Sequence, residues 1–448
     1  MSEAASASLK TPPKVSGALA EGGHLPEFSE NFCTFLSRAH AECGELAEFD
    51  FGGQETILMS GPAAQEVFFR TADEVFSQAE AYQVMVPVFG PGVIFDATAE
   101  RCKTQLKIQV DALRYQNMKQ YAPVIAAEVE EWIADWGDEG EVELLHAFHE
   151  LTMHTATHCL LGKEFRYSMT EEFFSLYKDL QAGVQAISFV DPYMQQPLFE
   201  ARDKARERLE EIVSELVAER RDSGKEYGDA LETFMRGTYD DGSHLTDTEL
   251  TGLIIATMFA GHHTSSGAGA ETLLEVAKHP QYAAELVAEL DEIYRDGAEI
   301  SHASMREIPK LESFLNEVLR LHPPLVVLMR RVMEDVEYNG FLLEKGKTVA
   351  VSIYESHMDP EYFPDPLTFN PHRTEPEQMF AYIPFGGGRH KCAGNAFALL
   401  QLKAIFSALL RRYEFELVGP EEDYVDEVSN MTIRPKDPCV LRYKRRAV

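Results

Sequence analysis

No stretch of this chain approaches the roughly 18 uncharged apolar residues that a membrane-spanning helix requires. The N-terminus carries no basic segment leading into an apolar one. By pattern these absences exclude a spanning helix and a secretory signal, and a cytoplasmic protein is expected. Basic residues are in deficit: 41 Lys and Arg stand against 74 Asp and Glu, a formal charge of −33. That balance argues against nucleic acid as a partner, because phosphate binding needs a basic face. An acidic surface chiefly keeps a chain soluble and self-repelling. The six cysteines, Cys33, Cys43, Cys102, Cys159, Cys392 and Cys439, are scattered and form no CxxC pair, a poor basis for a disulfide framework. There is no internal repeat, and no Pro/Ser/Gly-rich linker divides the 448 residues. One large domain over residues 25–448 is expected, preceded by a flexible arm over residues 1–24, which are small, polar and proline-containing.

What is present is mostly helical pattern. Between about residue 100 and residue 335, APVIAAEVEEWIADW, ARDKARERLEEIVSELVAERR and ELTGLIIATMFAGHHTSSGAGAETLLEVAKH place apolar residues three and four apart. Thr246 and Glu249 form a capping-box pattern at the start of the last of these. Strand-like runs occur at ETILMSG and in VEYNGFLLEKGKTVAVSIY, with turn signals at Asn339-Gly340 and Glu344-Lys345-Gly346. The fold class is therefore mainly α with a small β region.

One apparent metal motif fails on spacing. His149 and His154 are five apart, so on a helix they diverge by roughly 140° and cannot share a zinc ion. They read as ordinary helix residues.

The segment Pro384–Gly394, PFGGGRHKCAG, carries the chemistry. A phosphate loop would need Ser or Thr after Lys391, and Cys392 stands there. A buried structural cysteine would not explain glycines on both sides of it. Glycine lets a backbone pass close to a large flat ligand. A cysteine just before a helix is helped toward thiolate by the positive helix end, and thiolate is an axial ligand for iron. The spacing Phe385-x-x-Gly388-x-His390-x-Cys392-x-Gly394 resembles the haem-binding signature of cytochromes P450.

Two further motifs agree. Glu317 and Arg320 in LESFLNEVLRLHPP, with Arg373 in FNPHR, resemble the structural Glu-x-x-Arg pair of that family and its distant arginine. Ala260-Gly261-His262-His263-Thr264-Ser265 resembles the family's distal helix, with His263 where most members carry an acid. His-Thr at that point, and the segment Ala81–Ala97 with Tyr82, Pro87, Phe89, Gly90, Val93, Phe95 and Asp96, resemble the sterol 14α-demethylase branch, closest to its soluble bacterial members.

The resemblance implies the P450 fold and a thiolate-ligated haem b on Cys392. It implies haem contacts from Gln78, Tyr82, Lys103, Arg330, Phe385, Gly386, His390 and Gly394. Tyr82, Val84, Phe89, Ala260, His263 and Leu325 would face substrate. Thr264 would organise proton delivery, with His263, titrating near neutral pH, in the relay. The implied reaction uses O2 and NAD(P)H electrons delivered through ferredoxin and ferredoxin reductase, with Arg389, Lys391, Lys403, Arg411 and Arg412 as a docking patch. It removes the 14α-methyl group of a sterol precursor, and azoles would inhibit it. Val84 stands where the branch usually has a bulkier residue, and MFAYI before Pro384 lacks a tryptophan common in bacterial members. A hydroxylase of another steroid or hydrophobe, and a haem or sterol binder without turnover, therefore stay open.

Overall fold

The long helix Asp247–Lys278 is buried on nearly every side and forms the axis of the molecule, as expected of a helix apolar around its whole circumference. Its start is the expected capping box: the Glu249 amide donates to Thr246 Oγ1 (3.2 Å), and the Thr246 amide donates to Glu249 Oε2 (2.8 Å). The helix Leu144–Ser168 crosses it closely because Gly269 has no side chain; a Cβ there would lie 2.4 Å from the Phe148 ring.

Two apolar clusters lie along this axis. One joins the C-terminal half of the long helix to Tyr115–Trp132, Pro309–Leu321 and Asn395–Arg412. The other joins its N-terminal half to the irregular segment around Val84–Val93. These clusters fix, from opposite sides, the cysteine-bearing loop that opens Asn395–Arg412 and the segment containing Tyr82.

The β structure is small and peripheral. The largest sheet has five strands in the order Leu46–Phe51, Gln54–Met59, Thr348–Ser352, Val327–Val332 and Phe76–Ser77. All its pairings are antiparallel except Gln54–Met59 with Thr348–Ser352. Glu139–Glu143, Val440–Arg445 and Tyr413–Leu417 form a second sheet. The Asn339-Gly340 turn closes the hairpin Val336–Tyr338/Phe341–Leu343, with both central residues at positive φ (49° and 78°), the conformation that Asn-Gly favours.

The structure, a computed structural model, describes residues 9–168, 171–429 and 432–447. This corrects the expected arm over residues 1–24. From residue 9 onward the chain is tied down: Lys10 and Leu342 exchange backbone bonds with Gly340 and Lys10, and Val15 donates to the Glu48 carbonyl at 2.8 Å. Val15 is itself buried in the core. Residues 1–8 lie outside the described residues.

Candidate active site

The Cys392 loop is held by its own backbone. The Cys392 amide donates to the Phe385 carbonyl (2.9 Å), and the Gly386 amide donates to the Ile383 carbonyl (2.9 Å). Two of the glycines have a further reason in the protein wall behind the loop. A Cβ on Gly388 would sit 2.1 Å from the Phe69 carbonyl oxygen, and one on Gly387 would sit 2.9 Å from the Phe380 ring. Phe69 and Phe380 stack at 5.4 Å behind the loop. These two glycines therefore make room for the protein wall, and Gly386 and Gly388 also hold positive φ (66° and 64°). Gly394 is the one beside the sulfur, its Cβ position 3.8 Å from Cys392 Sγ.

Cys392 presents open surface. Burial within the surrounding protein pushes its thiol above the ordinary range; the backbone N–H groups of Gly394 and Asn395 and the Lys391 charge oppose that push. The helix end alone therefore does not make the thiolate. It supplies donors aimed at the sulfur, and a metal cation held there would complete the stabilisation.

Arg330 is the second diagnostic group. Its guanidinium is 4% exposed, donates to the Met329 carbonyl at 2.6 Å and lies over the Phe68 ring at 5.0 Å. Among the described residues no carboxylate forms an ion pair with it. A buried cation without a counter-ion calls for an anionic group, and a haem propionate is one. Its neighbours are less committed. His390 Nε2 pairs with Asp73 Oδ1 at 2.7 Å, Lys103 is exposed, and Gln78 and Phe385 are half-buried.

The segment Ala81–Ala97 is an aromatic ladder. Tyr82 stacks on Phe95 (5.5 Å) and Phe95 on Phe89 (5.9 Å); Phe89 meets Phe259 edge-on (6.1 Å), and Phe259 meets His263 (6.1 Å). Tyr82 Oη accepts from the Met329 amide at 3.3 Å. The ladder reaches the long helix because Gly252 has no side chain: a Cβ there would lie 2.3 Å from the Phe89 carbonyl oxygen. Arg206, from Pro197–Ser223, clamps that carbonyl with two donors at 3.0 and 3.3 Å.

On the long helix, Ala260 is exposed, a Cβ on Gly261 would meet nothing within 4 Å, and Thr264 is half-buried. One face of an otherwise buried helix therefore opens onto free space. Thr264 Oγ1 donates to the Ala260 carbonyl at 2.6 Å, which leaves its lone pairs to accept from that space. Leu325 is 46% exposed, whereas Val84 is 2% exposed and packs into the core. Val84 was expected to face substrate; in the structure it does not present surface to a ligand.

His263 requires a second correction. Burial pushes its imidazole down to about 4, and that of His262 to about 3. Near pH 7 His263 is neutral, so it is a hydrogen-bonding group there and not a titrating acid. His149 was missed by sequence reasoning. It diverges from His154 as its spacing requires, but it stacks on His262 at 5.2 Å and lies 5.7 Å from His263. No spacing rule relates residues on two different helices.

The Glu317, Arg320 and Arg373 side chains do meet. Arg320 Nε and Nη2 donate to the two Glu317 oxygens at 2.7 and 2.8 Å, and Arg373 Nε donates to Oε1 at 3.3 Å. Arg320 also donates to the carbonyls of His357 (3.1 Å) and Pro366 (2.7 Å). His357, also unforeseen, links this cluster to the cysteine loop. Its Nε2 accepts from the Ile383 amide (2.9 Å), so its Nδ1 carries the proton and donates to the Arg320 carbonyl (3.1 Å). Burial keeps the ring neutral, pushing it down to about 3.

The expected basic patch is smaller than the sequence suggested. Lys403 is buried, donating to Glu312 (2.5 Å) and the Met305 carbonyl (3.2 Å). Arg412 pairs with Glu130. Arg389 and Lys391 remain exposed beside Cys392.

A thiol with N–H donors aimed at it, an unpaired buried guanidinium and a small-residue helix face over open space define a haem-thiolate protein. The chain belongs to the cytochrome P450 family, whose model matches residues 13–441. Within that family it is 43% identical to a sterol 14alpha-demethylase of Mycolicibacterium vanbaalenii, over 98% of this chain and 99% of the relative. It is 36% identical to an obtusifoliol 14-alpha demethylase of Triticum aestivum, over 98% and 99%. The retinoic acid-bound cyanobacterial CYP120A1 superposes with a TM-score of 0.88 at 25% identity, over 98% of this chain and all of that one. The chain is a P450 monooxygenase that uses haem iron with thiolate ligation and NAD(P)H-derived electrons passed through redox partners. Among the described residues no helix is long and apolar enough to cross a membrane.

Proposed function

We propose that this chain removes the 14α-methyl group of a sterol precursor, which leaves as formate with a new double bond in the ring. The observation that carries the reading is the near-full-length 43% identity to bacterial sterol 14alpha-demethylases. The apolar ladder from Tyr82 to His263 supports it, since it gives a flat hydrophobe an aromatic wall. Haem iron with a thiolate ligand supplies oxygen activation when bound. Cys392 would hold the iron, and Arg330 a propionate. Tyr82, Ala260 and Leu325 would line the substrate space, with Phe89 buried behind them in the core. Thr264 would accept a hydrogen bond at Oγ1 from water in that space while donating its own to the Ala260 carbonyl. His263, neutral, would order that water. Ferredoxin and its reductase would supply electrons, with Arg389 and Lys391 as the local basic contact on an acidic protein. Azoles would bind as inhibitors, and the location would be cytoplasmic.

The test is turnover of 14α-methyl sterols with ferredoxin, its reductase and NADPH, reading formate and the desaturated product. Formate matched to product supports the reading. A hydroxylated sterol that accumulates without formate makes the chain a hydroxylase, and haem binding with no oxidised product makes it a binder.

A further inference from the structure

A carboxylate with no hydrogen-bond partner lies deep in the core, away from the haem site. Glu271, on the long helix, is 0% exposed, and neither of its oxygens has a hydrogen-bond partner. His322, just after the helix that carries Glu317, is 5% exposed. Its Nδ1 lies 3.7 Å from Glu271 Oε2 and 2.9 Å from Oδ2 of Asp426, on the strand Asp426–Ser429. One ligand atom from each of the three residues can be chosen so that all lie within 4.8 Å of one another.

The neighbouring charges are already spent. Glu275 takes Lys278 Nζ at 3.2 Å on one oxygen and His279 Nε2 at 3.1 Å on the other. Two carboxylates and one imidazole remain around a common point. Once the imidazole, which the surrounding carboxylates favour in its protonated form, gives up its proton on binding, their charge is balanced by one dication. Bonds of about 2.0–2.2 Å at tetrahedral or octahedral angles separate ligand atoms by roughly 2.8–3.6 Å; the observed 2.9 Å falls in that range and 3.7 Å lies just past its upper edge. The outer imidazole nitrogen fits as well. With Nδ1 on a metal, Nε2–H points toward Glu275 Oε1, 3.6 Å away. That is the carboxylate–histidine–metal arrangement that fixes a ligand's tautomer. Asp426 is partly exposed, which gives an ion a way in and a fourth position for water.

We infer that Glu271, His322 and Asp426 bind a divalent transition-metal ion of the zinc class. The ion would pin the strand Asp426–Ser429 to the long helix and to the end of the Pro309–Leu321 helix. This site is separate from Cys392 and would be structural, since its three donors join a strand to the long helix and to the end of a second helix.

The probe is Zn2+ alone, added to tag-free holoprotein stripped with a chelator and read by competition with a fluorescent zinc indicator. One tight site per chain is expected, with a raised melting temperature when it is filled. Glu271→Gln, near-isosteric, and Asp426→Asn, at the partly exposed edge, should each weaken that site at least 100-fold while keeping the wild-type haem-to-protein ratio. Wild-type protein without a stoichiometric tight site overturns the inference. So does zinc binding of equal affinity in both variants, which would place the ion on surface histidines or thiols. A melting temperature that rises in Glu271→Gln with no zinc dependence in the wild type would mean that Glu271 is neutralised by a proton instead.

Discussion

Glu317 receives two N–H donors from Arg320, one from Arg373 and the Asn370 amide at 2.9 Å. It is 4% exposed, and Arg320 is 1% exposed. Glu317→Gln preserves shape and one acceptor but removes the charge. Arg320 is then a buried cation beside neutral groups, and one guanidinium N–H faces an amide NH2. Breaking a buried pair by removing one partner costs about 3–5 kcal/mol, and the surviving acceptor keeps Gln at the lower end, about 3 kcal/mol. Against a typical total of about 5–15 kcal/mol that is a large fraction, and it falls on the element that holds His357 and, through Ile383, the cysteine loop. The expected outcome is soluble protein with a clearly reduced haem-to-protein ratio and a lower urea midpoint at an unchanged slope. Both are read from absorbance and circular dichroism on the same samples. Glu317→Ala should be worse, since it also removes the acceptor for Asn370. Full haem loading in Glu317→Gln, with a stability change below about 0.5 kcal/mol, the range of ordinary surface substitutions, would refute the argument.

Gly388→Ala should lose haem retention, because its Cβ would meet the Phe69 carbonyl at 2.1 Å and its φ is positive. Thr264→Ala should keep sterol affinity but divert electrons, seen as less product per NADPH consumed. His263→Ala should slow turnover without moving the pH profile between about pH 6 and 8, because burial has already taken the imidazole down to about 4. The same depression makes stability pH-dependent. In the unfolded chain these histidines take up protons below about pH 6.5, while folded His262 and His263 resist until about 3 and 4. Their contribution is therefore complete above pH 6.5 and is lost as the pH falls toward 4, which urea melts across that range would show as a falling midpoint.

Much of the site was legible because its signals are local. Cys392 with its glycines, Glu317 with Arg320, and the capping box at Thr246 each lie within a few residues, and local spacing fixes their geometry. The reasons for those residues were less legible. Gly387 and Gly388 are glycine because Phe69 and Phe380 occupy the space behind them, and Phe69 comes from a distant helix. The first residues looked like a loose arm because their composition is polar, yet strand pairing such as Val15 to Glu48 uses backbone groups that composition does not report. Lys403 looked like surface by its charge, but its neighbours on Asn395–Arg412 are buried all round, and its amine reaches Glu312. His149 and His357 carried no signal, since each gains its role from residues on other elements.

Glu271 and Glu317 show how far such a reading extends. Both are glutamates on apolar helices, and both are buried. In sequence, Glu317 is distinguished only by Arg320 three residues later, and Glu271 has no such neighbour. In space the difference is one of donors. Glu317 is surrounded by guanidinium and amide N–H groups, so its charge is already balanced and it acts as a strut. Glu271 meets the His322 imidazole at 3.7 Å and no donor within hydrogen-bond reach, so its charge is left to that imidazole, a proton or a metal ion. A buried carboxylate therefore takes its role from its donors, which come from the fold and not from the helix it sits on.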